Sequence, residues 1–136
     1  MMVNGAQNSA DKQGMQPVHE LCDGPALPHN ELMVLLKTGA DINATDGRGR
    51  TPLMLYVTAA SKALAYRIDI GYPEQIEKFR RRADGDMLFL IQCGADTSLR
   101  DANGLTAYEM LPPRVLEELK NTDALPALRG GGTSAI

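Results

Sequence analysis

Apolar residues in the middle of the chain recur at the three- and four-residue spacing of an amphipathic helix. The stretch NELMVLLKTG places Leu32, Leu35 and Leu36 on one helical face. Asn30 is the predicted N-cap residue of this helix, and Gly39 is placed to end it in the left-handed conformation. The pattern therefore predicts a short helix followed by a tight turn.

The same pattern returns 55 residues later, because the similar stretch GDMLFLIQCG ends at Gly94 (94 minus 39). Each of these helices is followed by a polar stretch, GADINATDGRGRTPL (39–53, the first connector) after the first and GADTSLRDANGLTAY (94–108, the second connector) after the second. Matches at one fixed offset indicate an internal repeat. The matched pairs include Leu32 and Met87, Leu36 and Ile91, Asp41 and Asp96, Asp46 and Asp101, Gly49 and Gly104, and Thr51 and Thr106.

Each connector ends in a helix-start signal. Thr51 is a predicted N-cap followed by Pro52, and the alanine-rich apolar run after it predicts a helix to about Arg67. Thr106 stands three residues before Glu109, which is the spacing of a capping box. The helix at this second start is predicted to be short, because two prolines follow within two turns.

The remaining apolar spacing predicts two further helices. RVLEELKN is expected to form the final helix, with Val115, Leu116 and Leu119 facing inward. Within SKALAYRIDIGYPEQIEKFRRRADGD, a helix is predicted to start at Pro73. It is expected to break at Asp84 and Gly85, before a separate helix begins.

A weaker third copy lies upstream, and both ends of the chain are expected to be tails. PVHELC (17–22) matches PLMLYV (52–57) at an offset of 35. Residues 1–14 are polar without periodicity, and residues 121–136 are rich in small residues, so we expect a disordered and a flexible tail. The ordered domain is predicted over residues 15–120.

These motifs resemble the ankyrin repeat, a unit of about 33 residues. DGRGRTPLML and DANGLTAYEM resemble its opening, and GADIN and GADTS resemble its close. The resemblance implies an all-α solenoid of stacked antiparallel helix pairs joined by hairpin-like loops. It divides the domain into repeats at about 15–45, 46–100 and a capping repeat at 101–120, with an insertion at about 61–84.

The chain departs from the family pattern in two respects. The signature histidine is present only as His19, and the later copies have Met54 and Glu109. The second repeat is about 22 residues longer than the family unit (55 minus 33). The insertion is either the solvated face of a lengthened helix or a projection that binds a partner or an anion.

Composition and charge narrow the function classes. The 136 residues, 43% of them hydrophobic, suit one domain, and the net charge of −3 argues against a nucleic-acid partner. No apolar run approaches the roughly 20 residues of a membrane span, and the amino-terminal stretch carries no apolar signal region. Cys22 and Cys93 are predicted to be free thiols, so a cytoplasmic location is expected.

The sequence contains no recognisable catalytic constellation. His19 is expected to bond locally within its repeat, as the resemblance implies, and His29 to serve at a helix end. The glycine-rich turns lack the spacing of phosphate-binding loops, and the connector aspartates lack that of a calcium loop. We therefore predict no enzymatic activity, no cofactor, no metal and no small-molecule substrate. The predicted turn-stabilising aspartates are Asp41, Asp46, Asp96 and Asp101.

The predicted function is protein–protein binding, as an adaptor or regulator, through connector tips, first helices and the insertion. The alternative is a microbial effector or immunity protein that inhibits its partner by occlusion. Arginines at the tips suit an acidic partner, because guanidinium pairs with carboxylates. The terminal TSAI also fits a PDZ-type groove. The candidate partner-binding residues are Arg48, Arg50, Arg100 and Asn103 at the tips, Met54, Leu55, Glu109 and Met110 in the first helices, and Tyr72, Phe79, Arg80 and Arg81 in the insertion.

Overall fold

The computed structural model describes residues 14–130, and this part of the chain contains helices and no strand. The predicted all-α class is therefore confirmed for it. The predicted tail over residues 1–14 lies outside the described residues except for Gly14, and the terminal TSAI lies wholly outside them. The elements are α1 (Pro17–Cys22), α2 (His29–Lys37), α3 (Pro52–Ile70), α4 (Pro73–Gln92), a 3-10 helix (Tyr108–Met110), α5 (Pro113–Leu119) and α6 (Ala124–Arg129).

Helix α3 is the centre of the core. It contacts α1, α4, α5 and the 3-10 helix, and every residue of its first six is buried. Tyr56 and Val57 are fully inaccessible to solvent. Because neighbours surround the first half of α3, its apolar residues do not form a single stripe. The second half of α3 pairs with α4 in a long helical hairpin whose turn is Gly71 and Tyr72.

The predicted helix ends are mostly confirmed. Thr51 caps α3, since its hydroxyl accepts from the Met54 N–H at 3.3 Å. Gly39 has a φ of 107°, and its N–H donates to the Leu36 carbonyl at 3.1 Å while the next N–H donates to the Leu35 carbonyl. This pair of bonds is the Schellman arrangement, and Gly94 ends α4 in the same way.

The predicted N-cap at Asn30 is wrong. Helix α2 begins at His29, and its N-cap is Pro28, two residues before Asn30. The Pro28 carbonyl already accepts from the Leu32 N–H at 3.0 Å, so Asn30 lies inside the first turn. Of the three leucines predicted on its inner face, only Leu32 is fully buried.

The predicted break at Asp84 and Gly85 is also wrong, because α4 runs without interruption from Pro73 to Gln92. A glycine inside a helix costs only about 1 kcal/mol relative to alanine. The buried stripe of Phe79, Ala83 and Leu90 continues through this region and outweighs that cost. Helix α3 likewise extends to Ile70, past the predicted end at Arg67.

The expectation of a flexible tail from residue 121 is corrected for residues 124–129, which form α6. Its Ala124, Leu125 and Leu128 are buried, and it packs against α4 and the 3-10 helix. The Ala124 N–H donates to the Asp84 carboxylate at 2.8 Å, which fixes the start of α6. The preceding α5 is therefore not the final helix, although Val115 and Leu119 are buried as predicted.

The connectors stack on one another at glycines. Gly49 has a φ of 74°, and a Cβ there would lie 3.0 Å from the backbone nitrogen of Ala102 in the second connector. Gly14, with a φ of 80°, approaches the Gly47 nitrogen of the first connector in the same way. The Ala102 N–H also donates to the Arg48 carbonyl at 2.9 Å. Successive loops thus repeat one close backbone contact.

Candidate interaction surface

The first connector is organised by the carboxylate of Asp46. One of its oxygens accepts from the Arg48 and Arg50 N–H groups at 2.9 and 2.8 Å. The other oxygen accepts from the Arg50 guanidinium at 2.8 Å. Burial of Asp46 opposes its ionisation, but the donors from Arg50 and Arg48 outweigh burial and lower its pKa below 3.8. Arg50 is therefore engaged within the loop, whereas Arg48 is exposed at the tip.

The His19 ring joins α1 to this connector. Its Nδ1 accepts from the Gln16 N–H at 2.9 Å, as the expectation of a local bond requires. Its Nε2 lies 2.9 Å from the Ala44 carbonyl and 3.1 Å from the Arg50 carbonyl, and so donates to the loop. His19 is fully buried, and its contacts therefore extend beyond its own repeat.

Met54 and Leu55 are removed from the predicted binding surface. They are 1% and 3% exposed, because neighbouring elements cover the first turns of α3 on all sides. Met54 instead has a local role, since its sulfur accepts from the Thr51 N–H at 3.4 Å. Met54 therefore repeats the capping bond of His19: in the next repeat, its side chain accepts from the backbone N–H three residues earlier, as His19 accepts from Gln16.

The second connector and the 3-10 helix after it carry four of the predicted binding residues. Arg100, Asn103 and Glu109 are exposed, and Met110 is half-buried. The Glu109 carboxylate accepts from the Thr106 N–H at 3.0 Å and from Arg100 at 3.1 Å. The Thr106 bond is the main cause that lowers the pKa of Glu109, with Arg100 adding to it. The structure therefore leaves three of these four predicted residues exposed and brings two of them, Arg100 and Glu109, into direct contact.

The insertion is only partly as predicted. Tyr72 is 60% exposed at the hairpin turn, but Phe79 is 8% exposed and lies beneath the Arg67 guanidinium, 4.5 Å from its ring centre. Arg80 pairs with Glu77 and Glu118, and Arg81 pairs with Glu77. Phe79 therefore cannot contact a partner directly, and the two predicted arginines already have internal partners.

Sequence reasoning missed two exposed apolar residues beside Tyr72. Tyr66 and Ile70 are 64% and 41% exposed, and their four-residue separation places them on one face of α3. That separation is visible in the sequence and could have found them. With Tyr72 they form the hairpin patch, defined as Tyr66, Ile70 and Tyr72.

Sequence reasoning also missed a buried polar cluster around Asp86. One carboxylate oxygen lies 2.7 Å from the His29 Nε2, and the other accepts from the Tyr56 hydroxyl at 2.9 Å. The His29 ring stacks on Phe89 with 4.0 Å between ring centres. Burial, and next the Asp86 carboxylate, raise the pKa of Tyr56, so the phenol keeps its proton. The cluster joins α2, α3 and α4.

A signal for this cluster was present in the spacing. Asp86 falls three residues after Ala83 and four before Leu90, so a continuous α4 turns its carboxylate toward the core. A carboxylate in that position needs hydrogen-bond partners. Their identity depends on α2 and α3, which lie far away in the sequence.

The described residues offer few groups suited to chemistry. Within residues 14–130, no cluster of three or more histidine, cysteine or acidic side chains is placed to hold a metal ion. Cys22 and Cys93 are free thiols. Burial, assisted by Cys93, raises the pKa of Cys22 to about 12, so its thiol stays protonated at neutral pH.

Comparisons with known proteins assign this chain to no family: no protein-family model and no curated protein matches it. In the described part of the chain, no helix combines the length and apolar character needed to cross a membrane.

Proposed function

We propose that this chain is a non-catalytic, ankyrin-type module that binds a protein partner. The repeated geometry of the connectors supports the ankyrin assignment. In both connectors an aspartate side chain accepts from the N–H groups two and four residues later, at 2.8 to 3.0 Å. The capping bond at His19 and Met54 has a third copy at Glu109. Stacked units of this kind share one core.

The hairpin patch carries the binding proposal. Six large apolar side chains of the described residues are exposed, and three of them fall within the seven residues from Tyr66 to Tyr72. Tyrosines supply large contact area at low entropic cost and are enriched at protein interfaces. Such a group at the end of a long helical hairpin is accessible to a protein surface.

Charge around the hairpin patch indicates the chemistry of the partner. Lys62 lies four residues before Tyr66 on the same exposed face of α3, and no acidic side chain of residues 14–130 pairs with it. The acidic residue nearest in sequence to the patch, Asp69, pairs with Arg114. Glu74, two residues after Tyr72, is exposed and belongs to no ion pair among residues 14–130. The patch therefore suits a partner with an apolar centre that has carboxylates only on the side facing Lys62.

The non-catalytic part of the proposal rests on how the reactive groups are engaged. Both imidazoles are held by internal partners, His19 by backbone carbonyls and His29 by Asp86. The Cys22 thiol is buried and protonated. A nucleophile needs an adjacent base and an accessible reaction site. His19 and Cys22 are buried, and the partly exposed His29 bonds to a carboxylate rather than to a hydroxyl or thiol. The free thiols suit a reducing compartment such as the cytoplasm.

Quantitative capture from source lysate, followed by titration of the purified partner, tests the proposal. The patch variant Tyr66→Ser with Tyr72→Ser is compared with wild type. We expect a protein that wild type enriches to be lost from the patch variant, and its Kd to rise by at least about tenfold, because central aromatic residues dominate interface energy.

The matched control is Met33→Ser with Val34→Ser, which removes exposed apolar surface from α2 instead. We expect this control to bind like wild type. Equal losses in both variants would show non-specific apolar adsorption and overturn the proposal. The absence of any saturable partner in wild type would also overturn it.

A further inference from the structure

A groove of about 440 Å³ lies between the loop after α1 and the α3–α4 hairpin. Pro25 and Ala26 form one wall, and Phe79 contributes to the other. The remaining lining residues are Arg67, Gln75, Lys78 and Arg82. This space is named the basic groove, and its three cationic residues are Arg67, Lys78 and Arg82.

The cations of the basic groove form no ion pair within residues 14–130. The carboxylates one turn away along α4 are Glu74, four residues before Lys78, and Asp86, four residues after Arg82. The Asp86 carboxylate is engaged by His29 and Tyr56. No carboxylate lines the groove, and none of the ion pairs among the described residues includes Arg67, Lys78 or Arg82. Gathering like charges is unfavourable unless an anion accompanies them. The groove is therefore a local positive site on a chain whose net charge is −3.

Helix α4 itself provides the contrast. Arg82 lies four residues after Lys78 and three after Phe79, so it is a neighbour of both on the helix surface, and all three line the groove. Arg80 and Arg81 do not line the groove and are paired instead with Glu77 and Glu118. The basic run is thus divided between ion pairs and the groove.

Arg67 is held in position at the groove. Its Nη1 donates to the Ala63 carbonyl at 2.9 Å, and its guanidinium lies over the Phe79 ring at 4.5 Å. These two contacts restrict the half-buried side chain while leaving most of its five N–H donors available. A fixed guanidinium loses less entropy when it binds an anion.

We propose that the basic groove binds a phosphate group. A phosphate group carries a charge of about −1.5 to −2 at neutral pH and so offsets up to two of the three cations, whereas one carboxylate would offset only one. The group is either free phosphate or a phosphoryl group on a side chain of another protein. This proposal is independent of the hairpin patch.

Calorimetric titration of the full chain with inorganic phosphate, at constant ionic strength set by chloride, tests the proposal. We expect saturable binding by wild type. The variant Lys78→Gln with Arg82→Gln should weaken it by at least about tenfold, since it removes two of the three charges. The matched control Arg80→Gln with Arg81→Gln changes net charge equally and should change the Kd by less than about twofold.

A second arm distinguishes the sources of the phosphate. A short phosphoserine peptide that binds more tightly than inorganic phosphate, while its unphosphorylated form does not bind, supports a phosphoryl group on a protein. Equal or weaker binding of the phosphopeptide supports free phosphate. Circular dichroism confirms that each variant is folded. Non-saturable heats in wild type, or equal weakening in the two double variants, would overturn the proposal.

Discussion

The two connectors have nearly the same backbone and very different surroundings. In each, the aspartate N–H bonds to the carbonyl four residues later at 3.0 Å, and a glycine N–H returns to the aspartate carbonyl at 2.9 or 3.0 Å. Yet Asp46 is buried and the Arg50 carbonyl four residues later is bonded by His19, whereas Asp101 is half-buried and Leu105, at the position equivalent to Arg50, is exposed. Local sequence determines the turn, and packing determines whether its side chains can contact a partner.

The largest expected difference between the connectors comes from His19. His19→Ala removes donors and acceptors from buried backbone groups and leaves a cavity, so we expect a loss of about 3 kcal/mol in the free energy of unfolding. Glu109 holds the equivalent position after the second connector. Glu109→Ala removes only solvent-exposed bonds, so we expect a smaller loss of stability than for His19→Ala. Urea unfolding at neutral pH measures both. Similar losses would show that the connectors are energetically equivalent, contrary to their burial.

Replacing the turn aspartate should also destabilise the chain more in the first connector than in the second, with a smaller difference in the free energy of unfolding. Asp46→Ala leaves two loop N–H groups and the Arg50 guanidinium without their acceptor, so we expect a loss of about 2 kcal/mol. Asp101→Ala removes two loop bonds in a more exposed setting, and about 1 kcal/mol is expected. Thermal unfolding of the two variants ranks them. A larger loss at Asp101 would contradict the role assigned to burial.

Comparing alanine substitutions at Gly49 and Gly104 measures the contribution of the stacking contact between the connectors. Gly49→Ala and Gly104→Ala both place alanine in the left-handed region, at a cost of about 1 kcal/mol each. Only at Gly49 would the new Cβ meet another loop, at 3.0 Å from the Ala102 nitrogen, whereas nothing lies within 4 Å at Gly104. We therefore expect Gly49→Ala to be more destabilising. Equal values in chemical denaturation would mean that the loops separate freely.

The smallest expected effect is a difference in acid stability between wild type and a variant at Asp46. The pKa of Asp46 is lower in the folded chain than its ordinary 3.8. The resulting stabilisation is complete above the unfolded pKa and is lost as pH falls through the folded pKa. We expect stability to fall less steeply below about pH 4 in Asp46→Asn than in wild type. Unfolding midpoints at several pH values check this, and parallel curves would exclude Asp46 as a contributor.

The helix ends were predictable because they depend on neighbouring residues. Thr51, Gly39 and Gly94 act through bonds within five residues, and each matches its sequence signal. The same is true of the turn aspartates. The start of α2 is the exception, because Pro28, not the predicted Asn30, is the N-cap residue.

Exposure was less predictable, because it depends on which elements meet. Met54, Leu55 and Phe79 were expected to contact a partner, but α3 and α4 are covered there by other parts of the chain. The start of α6 is fixed by a long-range bond in which the Ala124 N–H donates to Asp84, 40 residues earlier. Arg80 and Arg81 differ from the cations of the basic groove because they form ion pairs. One of their partners, Glu118, is distant in sequence, so no local pattern predicts it.

The uninterrupted course of α4 has a consequence for the length of the insertion. Helix α4 has 20 residues and α2 has 9, a difference of eleven (20 minus 9). Eleven residues are close to three whole helical turns at 3.6 residues per turn. The extension therefore returns Met87 to the angular position that Leu32 holds in α2, and both remain buried. Lengthening or shortening this extension of α4 by whole helical turns would keep the same residues facing the core. A change of two residues would rotate Asp86 away from Tyr56.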